Sequence, residues 1–232
     1  MAVSMTPSSP VFIFDAFGTL FDVHAVAREH AAAIGPEAER LSGTWRSKQL
    51  EYTWIYARAD RSGPLVVPGF REITRASLLY ALSLCGLDAA LAPRLLESYQ
   101  RLPPFPEVRD TLTQLKARGA RLAILSNADP DQLDDLVSNA GFDGVFEHSI
   151  SVAAAGSFKP DPRVYALGPE VFGRPANEMM FVSSNRWDIA GAKAFGYAAT
   201  WVNRLGLPDE YSDLSAGRVL TDLAGLLTNA SQ

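Results

Sequence analysis

Cysteine is nearly absent: Cys85 is the only one among 232 residues, so no intrachain disulfide can form. Its setting in the apolar run from Leu78 to Leu87 predicts a buried, unreactive thiol. Histidine is scarce as well. His24, His30 and His148 have no carboxylate or cysteine at metal-ligand or dyad spacing, which predicts surface or interface positions for all three. No apolar run approaches the ~18 residues of a membrane span, and the opening MAVSMTPSSP lacks the basic and apolar regions of a secretion signal. The expectation is a cytoplasmic protein with no membrane partner and a frayed first ten residues. Nor is charge of one sign concentrated: 21 Lys and Arg against 26 Asp and Glu give a net charge of −5, with both signs interspersed. That leaves no basic stripe for nucleic acid and no acidic tail. Internal repeats and low-complexity tracts are also missing.

What is present is an alternation. After residue 105, strand-like segments (RLAILSN, VFEHSIS, MMFVSSN, AATWVNR) alternate with helix-like ones, at Pro130 to Ala140, from about Pro162, and ending near Phe195. This order predicts βαβ units and an α/β fold with a Rossmann-like, mostly parallel sheet. Residues 22–104 show no comparable strands and read as helices at about 24–33, 41–58, 70–84 and 89–99. The economical organisation is a core of residues 1–21 and 105–232, with residues 22–104 inserted after the first strand as a helical cap.

The polar residues at the strand ends carry the chemistry. Val11 to Phe14 is a short apolar run broken by Gly18-Thr19, so Asp15 falls at the carboxyl end of a strand. Ligands bind at that edge of an open α/β sheet, where an ionised carboxylate is a poor core residue and a good nucleophile. A hydrolase is the first reading. Ser126 and Asn127 lie between a strand and a helix that Asp129-Pro130 should cap and start, and Lys159 precedes a similar start at Asp161-Pro162, with Tyr165 one turn on. A third strand ends in Ser183-Ser184-Asn185, with Asp188 in the following turn. In the inserted region, Leu50, Thr53, Trp54 and Ala57 follow helical spacing, and Arg46 heads the same face.

In order and spacing, these residues resemble the four motifs of the haloacid dehalogenase superfamily, from Phe12 to about Leu220. Metal-dependent phosphatases of that superfamily carry a second Asp two places after the nucleophile, and further carboxylates in the fourth motif. Here those places hold Phe17 and Ser183-Ser184-Asn185. The strings TWRSKQLEYTW, FKPDPRVY and SSNRWD are similar to those of the type II L-2-haloacid dehalogenases.

The resemblance implies hydrolysis of short L-2-haloacids to D-2-hydroxy acids with inversion, through an aspartyl ester, with no metal or other cofactor. It implies Asp15 as nucleophile, Lys159 as its ion-pair partner, Asp188 and Asn185 as the residues placing the hydrolytic water, and Thr19 and Ser183 as orienting groups. Ser126 would take the substrate carboxylate, and Arg46 and Asn127 the departing halide. Phe17, Leu50, Phe70 and Trp187 would form the apolar wall, with Tyr165 alongside. Thr19 also reads as a turn residue, and Tyr165 and Trp187 as packing residues. Partners are then a 2-haloalkanoate and its halide, and a second copy of the chain through Ser77 to Leu87. Ser47, where the family commonly has a longer Gln, and the loop of residues 58–69 predict an altered pocket. Two readings of other kinds stand beside this one: a Mg-dependent phosphatase or phosphonatase of the same fold, and a non-catalytic binding protein.

Overall fold

A computed structural model describes residues 9–58 and 66–228. Six strands, β1 (Val11–Phe14), β2 (Arg121–Ser126), β3 (His148–Ser151), β4 (Met179–Ser183), β5 (Ala198–Val202) and β6 (Arg218–Leu220), form one parallel sheet in the order β3-β2-β1-β4-β5-β6. The α/β expectation holds. Central strands of such a sheet are covered on both faces, which is why VFIF and RLAIL read as continuous apolar runs rather than alternating ones. Ile13, Phe14, Ala123, Ile124, Phe181 and Val182 are fully buried there, each large side chain contributing about 1.5–3 kcal/mol. Strand order reverses at β1, so the crevice at the carboxyl ends of the strands lies between β1 and β4. Asp15 opens into that crevice, its N–H donating to Val182 O at 2.9 Å.

Helices α1 (Ala25–Glu29), α2 (Ala31–Ile34), α3 (Ala38–Arg58), α4 (Phe70–Leu84) and α5 (Ala92–Tyr99) follow β1, and α6 (Val108–Ala117) leads into β2. Helices α7 (Pro130–Asn139), α8 (Pro162–Phe172) and α9 (Arg186–Phe195) connect the later strands. The expected helix at 24–33 is broken at His30, and α6 and β6 were not anticipated; β6 has three residues, too few for a period. Where the chain leaves for α1 and returns after α5, it pairs with itself: Asp22 N–H donates to Pro103 O and Phe105 N–H to Leu20 O, both at 3.0 Å.

Packing corrects several sequence expectations. Helix α3 buries Leu41, Ser42, Trp45, Gln49 and Thr53, whereas Leu50 is half-buried and Trp54 is 38% exposed. The anticipated stripe is displaced because polar residues occupy the buried face: Trp45 Nε1 donates to Thr74 O at 2.9 Å and Gln49 Nε2 to Thr74 Oγ1 at 2.8 Å. Cys85 is half-buried at the end of α4, with desolvation pushing its thiol pKa up. His30 is buried, its Nε2 2.7 Å from Ser98 Oγ, and His24 is half-buried against Ser42 Oγ at 2.7 Å. Within Ser77 to Leu87, Ser77, Leu78, Ala81 and Leu82 face inward, leaving Tyr80 and Leu84 as the exposed large apolar side chains. No helix among the described residues is long and apolar enough to cross a membrane.

Candidate active site

The site is built on the carboxylate of Asp15, 6% exposed just past the end of β1. Its two oxygens are unequally engaged. Oδ2 accepts from Thr19 Oγ1 at 2.9 Å, Asn185 Nδ2 at 2.8 Å and Ser183 Oγ at 3.4 Å. Oδ1 accepts from Lys159 Nζ at 3.0 Å. The same ammonium reaches Asp188 Oδ2 at 2.9 Å, so one buried cation bridges two buried carboxylates. Tyr165, inside α8, donates to Asp188 Oδ1 at 2.8 Å. Space for that hydroxyl comes from Gly191, where a Cβ would lie 2.4 Å from it.

Burial pulls the pKa of Lys159 down, but Asp15 and Asp188 together outweigh burial and raise the pKa above the ordinary lysine value. The ammonium is therefore fixed. For Asp188 burial acts the other way and wins, raising its pKa from the ordinary value although Lys159 opposes the shift. Burial holds the Tyr165 phenol far above its ordinary pKa, so it is a neutral donor.

A second layer holds the loop after β1. Thr19 Oγ1 accepts from Ser184 N–H at 2.8 Å, and Arg204 donates to Thr19 O at 2.7 Å. Asn185 Nδ2 also donates to Phe17 O at 3.1 Å, while its Oδ1 accepts from Arg46 at 3.2 Å, an arrangement that fixes the orientation of the amide. Arg46 further donates to Phe17 O at 3.2 Å and Gln49 Oε1 at 2.8 Å. Asn127 Oδ1 accepts from Lys159 N–H at 3.0 Å, tying the end of β2 to the lysine. Ser126 is fully buried; its Oγ accepts from Ala128 N–H at 3.1 Å, which leaves its own proton to donate.

Apolar side chains enclose one flank. The Phe17 ring packs 5.1 Å from Phe70 and 5.6 Å from Tyr99, centroid to centroid, and Tyr99 lies 5.0 Å from Trp45. Trp187 belongs to a different group, edge-on to Trp54 at 5.6 Å. The structure thus joins Asp15, Thr19, Lys159, Ser183, Asn185, Asp188, Tyr165, Asn127 and Arg46 through hydrogen bonds and packs Phe17 on Phe70, but no side-chain hydrogen bond among the described residues links Leu50, Ser126 or Trp187 to them. Ser47 is exposed on α3. The loop of residues 58–69 lies mostly outside the described residues. Gln49, Tyr99 and Arg204 were not anticipated; for the first, the available signal was its place one turn after Trp45 on the same helix face.

Asp161 caps α8 as expected, accepting from Arg163 N–H at 2.9 Å. Asp129 departs from expectation. It has the backbone of an N-cap for α7, yet its side chain makes no bond to that helix.

Comparison with known proteins finds similar chains over most of this length. The family model described as haloacid dehalogenase-like hydrolase covers residues 10–196. Haloacetate dehalogenase H-2 of Moraxella sp. (strain B) is 46% identical over 195 residues, 83% of this chain and 85% of that protein. A solved L-2-haloacid dehalogenase superposes with a TM-score of 0.90 at 39% identity, over 95% of this chain and 97% of that one. The L-2-haloacid dehalogenase of Xanthobacter autotrophicus, solved with chloropropionic acid covalently bound, gives 0.83 at 35% identity, over 94% and 97%.

Proposed function

Because the chain belongs to the haloacid dehalogenase-like hydrolases, we propose that it hydrolyses short L-2-haloacids to D-2-hydroxy acids, with Asp15 as the covalent nucleophile. The observation carrying this reading is Asp15 ion-paired with Lys159 at 3.0 Å and no second carboxylate two residues on, where Phe17 stands. Halide departs as an anion and needs no proton, so the position of a general acid can be apolar. Oδ2 is occupied by three donors and Oδ1 by one, which makes Oδ1 the attacking atom. Its bond to Cα forms from the face opposite the halogen as the carbon–halogen bond breaks, and configuration inverts.

Water then adds to Cγ of Asp15, and the acyl C–O bond breaks. The 2-hydroxy acid leaves with the former carboxylate oxygen, and water's oxygen remains on Asp15. Asp188 takes one proton of the water, a role its raised pKa suits, and passes it to the departing alkoxide oxygen, while the water's second proton goes to solvent as Asp15 returns to a carboxylate. Asn185 helps position that water, Lys159 stabilises the oxyanion, and Thr19 and Ser183 hold Asp15 in register. Ser126 binds the substrate carboxylate. Arg46 and Asn127 receive the halide, whose charge exists only as the bond breaks, so their help is given to the transition state. Phe17, Leu50, Phe70 and Trp187 exclude bulk water.

The donor set does not fit Mg²⁺, which wants a near-octahedral shell of oxygens. Asp15 and Asp188 already share the Lys159 ammonium, and Ser183-Ser184-Asn185 adds no carboxylate. The reading is therefore metal-independent. Incubation with L-2-chloropropionate in EDTA should release halide and D-lactate. Phosphate release that requires Mg²⁺ would favour the phosphatase reading, and neither activity would leave a binding protein.

Residues 22–104 act in this reading as a cap over the core of residues 1–21 and 105–232, supported by the lack of any strand in residues 25–58 and 70–99 among those described, and by the self-pairing at Asp22–Pro103 and Leu20–Phe105. The protein works in the cytoplasm as a homodimer, for which the exposed Tyr80 and Leu84 of α4 are the supporting feature. Light scattering should give a mass near twice 25.1 kDa, and a single-chain mass would refute the dimer.

A further inference from the structure

The carboxylate that α7 leaves unused is spent on another helix. Asp129 Oδ1 accepts from Phe70 N–H at 3.0 Å and Oδ2 from Arg71 N–H at 2.9 Å, the first two residues of α4. Gly69, the residue at the N-cap of α4, has no side chain to do this, and a Cβ there would lie 2.8 Å from Asp129 Oδ1. The two residues therefore form a split cap: glycine supplies the close approach and Asp129 the acceptors. An acidic side chain thus sits at the positive end of the dipole of a 15-residue helix. The neighbouring Arg71–Asp131 pair, at 2.8 Å, is exposed and adds little.

Two ends of the site are joined by this contact. Asp129 sits three residues beyond Ser126 at the end of β2, and Phe70 is the residue whose ring rests on Phe17, two places after the nucleophile. A cleft of about 500 Å³ opens beside the contact, lined by Gly69, Arg71, Tyr99 and Asp129, so the start of α4 has room to move when the cap is lost.

We propose that Asp129 is a positioning residue that fixes Phe70 against Phe17 and thereby sets the width of the pocket beside Asp15. This rests on the dehalogenase reading given above. Charge-assisted hydrogen bonds of this kind are worth about a tenfold effect or more each. In Asp129→Ala, amide exchange at Phe70 and Arg71 should accelerate about tenfold or more, while amides in the middle of α4 hold their protection. KM for L-2-chloropropionate should rise about tenfold with a smaller fall in kcat, and the kcat/KM ratio of 2-chlorobutanoate to 2-chloropropionate should move toward the longer acid. Asp129→Asn keeps one acceptor and should fall between. Unchanged exchange at both amides would overturn the cap. Faster exchange with the chain-length preference unmoved would overturn the positioning role. If the wild-type protein released no halide, the dehalogenase reading and the positioning role would fail together, whereas the exchange data would still decide the cap.

Discussion

Asp15→Asn should release no halide from L-2-chloropropionate, a loss of about 10⁴-fold or more, the scale seen when a covalent nucleophile is removed. An amide keeps the shape of the carboxylate, but it cannot attack carbon. It also cannot satisfy its neighbours, because its NH₂ group must face either the Lys159 ammonium or the donors Thr19, Asn185 and Ser183. Some stability will be lost, so Asp15→Ala and a thermal melt belong beside it. Wild-type-level turnover by a folded variant would sink the covalent mechanism. An independent check follows the oxygen. In a single turnover of the wild-type enzyme in ¹⁸O-water, the label should enter Asp15 and the hydroxy acid should be unlabelled; label in the first product would mean that water attacks Cα directly.

Lys159→Met should be nearly as damaging, for an electrostatic reason. The lysine is 1% exposed and lies 3.0 Å from Asp15 and 2.9 Å from Asp188, so its removal leaves two buried carboxylates facing one another. Uncompensated buried charge costs about 3–5 kcal/mol, and the pair escapes that cost by binding a proton together. Burial already raises Asp188, which biases the outcome that way. Halide release at neutral pH should fall about 10³-fold, and the acid limb of the rate profile should shift to higher pH as the shared proton is lost. A reduced rate with an unmoved pH profile would show that Lys159 serves geometry alone.

Much of this architecture was legible because the strands and their ends obey short-range rules. Val11–Phe14 and Met179–Ser183 are apolar runs closed by polar turns, and the residues at those ends are the ones that meet at Asp15. Helix α4 was read at its full extent of 70–84 because its apolar period is regular. Helix α3 was misread on one point because Ser42 and Gln49 are buried with their polar groups satisfied, which periodicity scores as exposed. His30 was misplaced for the same reason: its partner Ser98 lies 68 residues away. Asp129 shows the limit most clearly. The Asp-Pro pair correctly marked the start of α7, but nothing local indicates that the side chain serves α4, a contact that exists only once the chain has folded.

The self-pairing of Asp22 with Pro103 and of Leu20 with Phe105 places the departure and return of the inserted helices at a single doorway. Because closure of a loop depends only weakly on its length once the ends are held together, the sheet is nearly indifferent to what is threaded between those ends. The five helices could be lengthened, shortened or exchanged without asking β1 and β2 to find a new pairing. Arg46 and Phe70 travel with the inserted helices, whereas Asp15, Lys159 and Asp188 stay with the sheet. Under the proposed function, a change at Phe70 can therefore alter substrate fit while the Asp15–Lys159–Asp188 cluster that performs the attack is left in place.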